Sequence, residues 1–200
     1  MTDYRLDAAG VKTRGIFRYR LRDFAVKDKV HGHGIIFESD TADVDLGLQA
    51  WPLRLRLDSR LLRPRYHLGA LAHGAGLLGP EVKDLFMSDQ AGIVFEQGKV
   101  LALWGIGETE LRFTDFRREE IRAGCDVRVR RGEMTELDAH IEGPALILFS
   151  MFPRIIQPKD LALKKSRIGF RLRRGWLDVT KNDQLFLRAR WKSMMGERVE

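Results

Sequence analysis

Residues 17–22 read Phe-Arg-Tyr-Arg-Leu-Arg. The same alternation returns at 53–58 (Leu-Arg-Leu-Arg-Leu-Asp), 127–130 (Val-Arg-Val-Arg) and 170–173 (Phe-Arg-Leu-Arg). Near the end, Leu185, Leu187, Ala189 and Trp191 alternate with Arg188, Arg190 and Lys192. A period of two places successive side chains on opposite faces of a strand, so each stretch predicts one face toward a core and an arginine face away from it. Further strands are expected at 34–38, 92–96, 100–104, 110–114, 137–141 and 145–150. Residues 96–99 (Glu-Gln-Gly-Lys) read as a hairpin turn, 105–108 as the next, and 142–144 (Glu-Gly-Pro) as a break. Helix is scarce: 80–88 begins with a proline, and 116–123 is closed by Gly124. The expectation is a mainly β protein, a sandwich or barrel of about a dozen short antiparallel strands with one or two short helices.

The chain has 200 residues, 44% hydrophobic and 32% charged, which is ordinary globular composition. A chain of this length buries roughly 70% of its unfolded surface and folds without staples. No repeat or linker divides it, so residues 1–200 are read as one β-rich domain with a strongly basic C-terminal segment, 159–192. The longest apolar run, 145–152, is far short of the about 20 residues a spanning helix needs. The N-terminus lacks the charged flank and apolar centre of a secretory signal, and Cys125 has no partner for a disulfide. Both point to a cytoplasmic protein.

The net charge of +7 is unevenly placed. Residues 1–150 hold 22 Lys/Arg against 23 Asp/Glu, whereas 151–200 hold 13 against 5. Arginine outnumbers lysine 25 to 10, and arginine grips phosphate and carboxylate in a bidentate fork. The candidate anion-binding set is Arg167, Arg171, Arg173, Arg174, Arg188, Arg190 and Lys192. Phe170 and Trp191 fall opposite the arginines by parity, leaving that row without a stacking platform for bases. Glu38, Asp40, Asp43 and Asp45 form an opposite, acidic strip that could meet the basic quarter of a second copy.

A second constellation is His31-Gly-His33 with Glu38, to which the distant His140 could add a ligand. Two imidazoles on one strand face and a carboxylate can hold a divalent metal. The spacing resembles the first metal motif of the cupin barrels, which implies a small metalloenzyme; without the metal the same residues make a surface turn. No organic cofactor is implied. Residues 74–79 satisfy G-x-G-x-x-G, but Pro80 follows directly and the surroundings are not β-α-β. Cys125, beside Asp126, is more simply a small core residue than a nucleophile.

The sequence therefore leads to a non-enzymatic binding or assembly module. It would present an Arg-lined sheet face to an anionic partner: nucleic acid, an acidic protein surface or an anionic headgroup. The alternatives are the cupin-like metalloenzyme and a structural homo-oligomer.

Overall fold

The computed structural model describes residues 4–28, 35–67, 92–131, 133–152 and 154–190. Its strands are β1 (Tyr4–Gly15), β2 (Arg18–Asp28), β3 (Ile35–Gln49), β4 (Arg54–Leu62), β5 (Arg65–His67), β6 (Gly92–Val94) and β7 (Gln97–Gly105). They continue as β8 (Glu108–Arg118), β9 (Ile121–Arg130), β10 (Glu133–Gly143), β11 (Ser166–Arg173), β12 (Trp176–Lys181) and β13 (Gln184–Arg190). Between β10 and β11 lie helix α1 (Ala145–Met151) and a 3-10 turn, Pro158–Ala162. The fold is mainly antiparallel β, as the two-residue period requires.

All thirteen strands belong to one sheet, ordered β1-β2-β3-β4-β7-β8-β9-β10-β11-β12-β13, with β5 and β6 branching from β3. The path has β1 at one end and β13 at the other. Each strand on this path is antiparallel to the next, so the turns gather at two rims. The β1–β2, β3–β4, β7–β8, β9–β10 and β11–β12 turns share one rim. The β8–β9 and β12–β13 turns and α1 lie at the other.

One face of the sheet carries the apolar set. Across it Leu46, Leu57, Ala102, Leu111, Val127, Leu137, Leu172, Leu177 and Ala189 stand in a single cross-strand row. Toward the α1 rim this face is closed by Leu148, Phe152, Ile155 and Ile156, all buried against Phe116, Ile121, Ile141 and Ile168. The returning chain is pinned by Asp160, whose carboxylate accepts the Gln157 N–H at 2.7 Å and the Lys181 ammonium at 2.9 Å. The Gln157 bond first, then Lys181, holds that carboxyl below its ordinary range.

Three local expectations are corrected. Residues 116–123 are not helical: they end β8, turn at Glu119 and start β9, because the neighbouring strands β7 and β10 supply ladder partners and Phe116 and Ile121 both point into the core. Glu119 adopts φ 50, so a non-glycine residue makes the turn. Residues 145–150 are not a strand: Pro144 takes the N-cap of α1, and the buried Ala145, Leu148 and Phe152 follow helical spacing. Residues 96–99 do not form a hairpin, since β6 pairs with β5 while β7 pairs with β4 and β8. The expected helix at 80–88 lies outside the described residues. Among those residues, no helix is long and apolar enough to cross a membrane.

Leu148 is fully buried where α1 meets the sheet. Leu148→Ala should cost about 2–5 kcal/mol. Urea unfolding checks this: the midpoint should fall while the slope stays that of the parent.

Candidate anion-binding face

The opposite face carries charge, and its register builds acid-to-arginine rows. In one row Arg112 on β8 faces Asp126 on β9, which faces Asp138 on β10, then Arg171 on β11, Asp178 on β12 and Arg188 on β13. Arg171 Nε donates to Asp138 at 3.1 Å, and Arg188 grips Asp178 with two bonds of 2.6 and 2.9 Å. The Arg188 bonds hold the Asp178 carboxyl below its ordinary range and push the guanidinium still further up.

A second group is more enclosed. Arg54 on β4 donates to Glu110 at 2.9 Å and to Glu108 at 3.4 Å, with its side chain 17% exposed. Arg128 reaches Glu108, Glu110 and Glu136 from the other side. The Arg54 hydrogen bond is the largest influence lowering the Glu110 carboxyl. The acidic strip is internally paired as well: Asp43 is gripped by Arg20, Asp45 by Arg18, Asp40 by Arg63 and Glu38 by Arg65. Carboxylates so neutralised offer less attraction to the basic quarter of a second copy.

These pairs divide the anion-binding set. Arg171 and Arg188 are spoken for by Asp138 and Asp178. Arg167, Arg173, Arg174 and Arg190 make no salt bridge among the described residues, and Lys192 lies outside them. Arg174 and Gly175 form the β11–β12 turn with φ 50 and 76, the two positive values of a tight hairpin turn. Flanking it, Arg173 faces Trp176, and Trp176 faces Arg190. Trp176 shares the parity of Asp178, so its half-exposed ring stands on the arginine face between two unpaired guanidinium groups. The absence of an aromatic from that face is thereby corrected. The signal was legible: Arg174-Gly175 sets a two-residue turn, after which Trp176 must fall opposite Arg173. Arg173 also borders a shallow groove of about 230 Å³ that runs over Glu136, Asp138 and Asp126.

The metal constellation is not assembled among the described residues. His31 and His33 lie outside them. Glu38 accepts a hydrogen bond from Arg65 at 2.8 Å. His140 stands on β10 between Gly124 and Gly169, and its ring occupies the space a side chain at 124 would need, 2.9 Å from an added Cβ. No group of three metal-ligating side chains occurs among the described residues. The 74–79 glycine motif also lies outside them. Cys125 faces the core, and burial first, then Asp126 and Asp138, pushes its thiol up to about 12, which keeps it from acting as a thiolate near neutral pH.

With this geometry in hand, comparison with protein-family models, curated proteins and solved structures finds no match to the chain.

The paired carboxylates give acid lability a definite sign. Glu110, Asp43, Asp178 and Asp160 all titrate lower in the folded protein than their ordinary values of 4.5 and 3.8. Their contribution is complete above those values and is lost as pH falls through the depressed ones. The urea midpoint should therefore drop steeply below about pH 4. Glu110→Gln should cost about 1–2 kcal/mol at neutral pH, with its deficit narrowing as pH falls. A deficit that is constant from neutral to acid would show that the ion pair is not its source.

Proposed function

We propose that the protein is a non-enzymatic binding module that holds a phosphate-bearing anionic partner at the β11–β12–β13 corner. Arg173, Arg174 and Arg190 supply the charge and Trp176 the flat surface. The observation that carries this reading is the row Arg173–Trp176–Arg190: two arginines with no salt bridge among the described residues, facing a half-exposed ring, next to a row in which Arg171 and Arg188 are already held by acids. An arginine already held by a carboxylate gains little from a second anion, whereas an unpaired one exchanges only water and counterions for it. Of the seven basic residues singled out from sequence, Arg171 and Arg188 are already paired, Arg167 lies at the other end of β11 and Lys192 lies outside the described residues, which leaves three at this corner.

A short fluorescein-labelled oligothymidylate serves as a polyanion probe. Its anisotropy should rise on binding, and tryptophan emission should change unless Trp176 is replaced by Leu. With three phosphates neutralised on a single strand, log affinity should fall against log salt with a slope of about −2. Arg173→Glu with Arg190→Glu should lower affinity by about tenfold or more, whereas Arg171→Gln should change it little. Full affinity in the doubly reversed protein, with its circular dichroism unchanged, overturns the assignment.

A further inference from the structure

The described hairpin turns at the two rims of the sheet differ in a way the core does not require, although at the α1 rim Leu146 of the helix is also exposed. At the α1 rim the β8–β9 turn is Glu119-Glu120 and the β12–β13 turn is Asn182-Asp183, ordinary polar apices. At the opposite rim the first three turns carry Ile16 and Phe17, then Trp51, Pro52 and Leu53, then Ile106. Trp51 is 90% exposed and Ile106 fully so, with Ile16 at 84%. The next two turns carry Arg131 and Arg174, both without a salt bridge among the described residues. No acid occupies a described apex of this rim, and the nearby Glu108 is already held by Arg54, Arg128 and Arg130.

We infer that this rim docks edge-on to the surface of an anionic lipid bilayer, its apolar apices entering between headgroups and its arginine apices meeting lipid phosphates. Lipid phosphate thereby becomes the anion at the proposed corner, and for that charge the inference rests on the binding-module reading.

The shape favours a bilayer over a folded partner or a second copy. Neighbouring turns are two strands apart, about 10 Å at ordinary strand spacing. The intervening ground holds ion pairs such as Arg18–Asp45 and Arg54–Glu108. A protein interface wants a contiguous, shape-matched apolar centre, and a comb of separate apices set among charges does not provide one. A headgroup layer receives each apex separately. Tryptophan and isoleucine suit that depth, and arginine keeps its charge at the phosphates while its stem lies along the apolar boundary. A dry cleft is not needed: beside the first turn lies an open hollow of about 680 Å³, lined by Ile16, Phe17 and Leu48, in which Arg18 and Arg56 are held by Asp45 and Asp58.

The test is co-sedimentation of the full chain with vesicles of phosphatidylcholine, alone or mixed with phosphatidylglycerol. Binding should require phosphatidylglycerol and weaken with salt. Trp51→Ser with Ile106→Ser should reduce partitioning about tenfold while leaving oligothymidylate affinity unchanged, and Arg173→Glu with Arg190→Glu should reduce both. Brominated phosphatidylcholine in the mixed vesicles should quench tryptophan emission, less so in Trp51→Phe. The substituted apices are exposed, so unchanged circular dichroism is expected of each variant. Failure to bind mixed vesicles, or undiminished binding and quenching by the apex variant, overturns the inference while oligothymidylate binding keeps the corner itself standing. Loss of both probes from the parent protein overturns both.

Discussion

Everything in this sheet depends on register. Ile168, Leu172, Leu177 and Val179 are almost wholly buried, and the pairing that buries them also sets Asp138 beside Arg171 and Asp178 beside Arg188. A shift of one residue between two strands would turn leucines outward and carry arginines into the core. Each strand pairing must thus keep its parity to satisfy both faces at once. Burial supplies most of the energy, because exposed ion pairs contribute roughly 0–1 kcal/mol each. The charged face is less strictly matched, since the same pairing that sets Asp138 beside Arg171 also sets it beside Asp126.

That division changes how the basic C-terminal quarter is understood. Formal charge there is high, yet part of it is held within the sheet. Lys181 is joined to Asp160, Arg171 to Asp138 and Arg188 to Asp178. Of the candidate set, those without a salt bridge among the described residues are Arg167 and the turn-proximal Arg173, Arg174 and Arg190, and only the last three lie together. Arg173 and Arg190 have a tryptophan as their cross-strand neighbour on β12, so the ladder of pairs ends where the exposed ring begins. Near the other end of the sheet, Arg20 and Arg18 are similarly taken by Asp43 and Asp45.

The strands were legible wherever apolar and charged residues alternate, since that pattern admits one period. They were illegible where it fails. Residues 145–152 are apolar at nearly every position, so helix and strand predict the same composition, and only packing against Ile121 and Ile168 selects the helix. The Glu119 turn carried no glycine or asparagine, so its positive φ had no signature. Arginine positions could be read, but their partners could not: Asp138 and Arg171 are far apart in sequence and meet only through strand order. Trp176 could have been placed by counting from Gly175, a local inference. The apolar apices were visible as Trp51, Leu53 and Ile106, but that they share a rim follows only from the direction of each strand.

Strand order also has a consequence for how the chain can assemble. Along β1–β4 and again along β7–β13, every strand pairs with the one beside it in sequence. Except at the α1 crossover, each closure spans a short loop whose entropy cost is recovered by the ladder it permits. The other exception on the main path is the seam between β4 and β7, from Leu62↔Gln97 to Leu55↔Trp104, which joins residues 35 to 49 positions apart after the β5–β6 excursion. The sheet is a set of meanders joined by two longer closures, the β4–β7 seam and the α1 crossover between β10 and β11, and these raise its contact order above that of its hairpins.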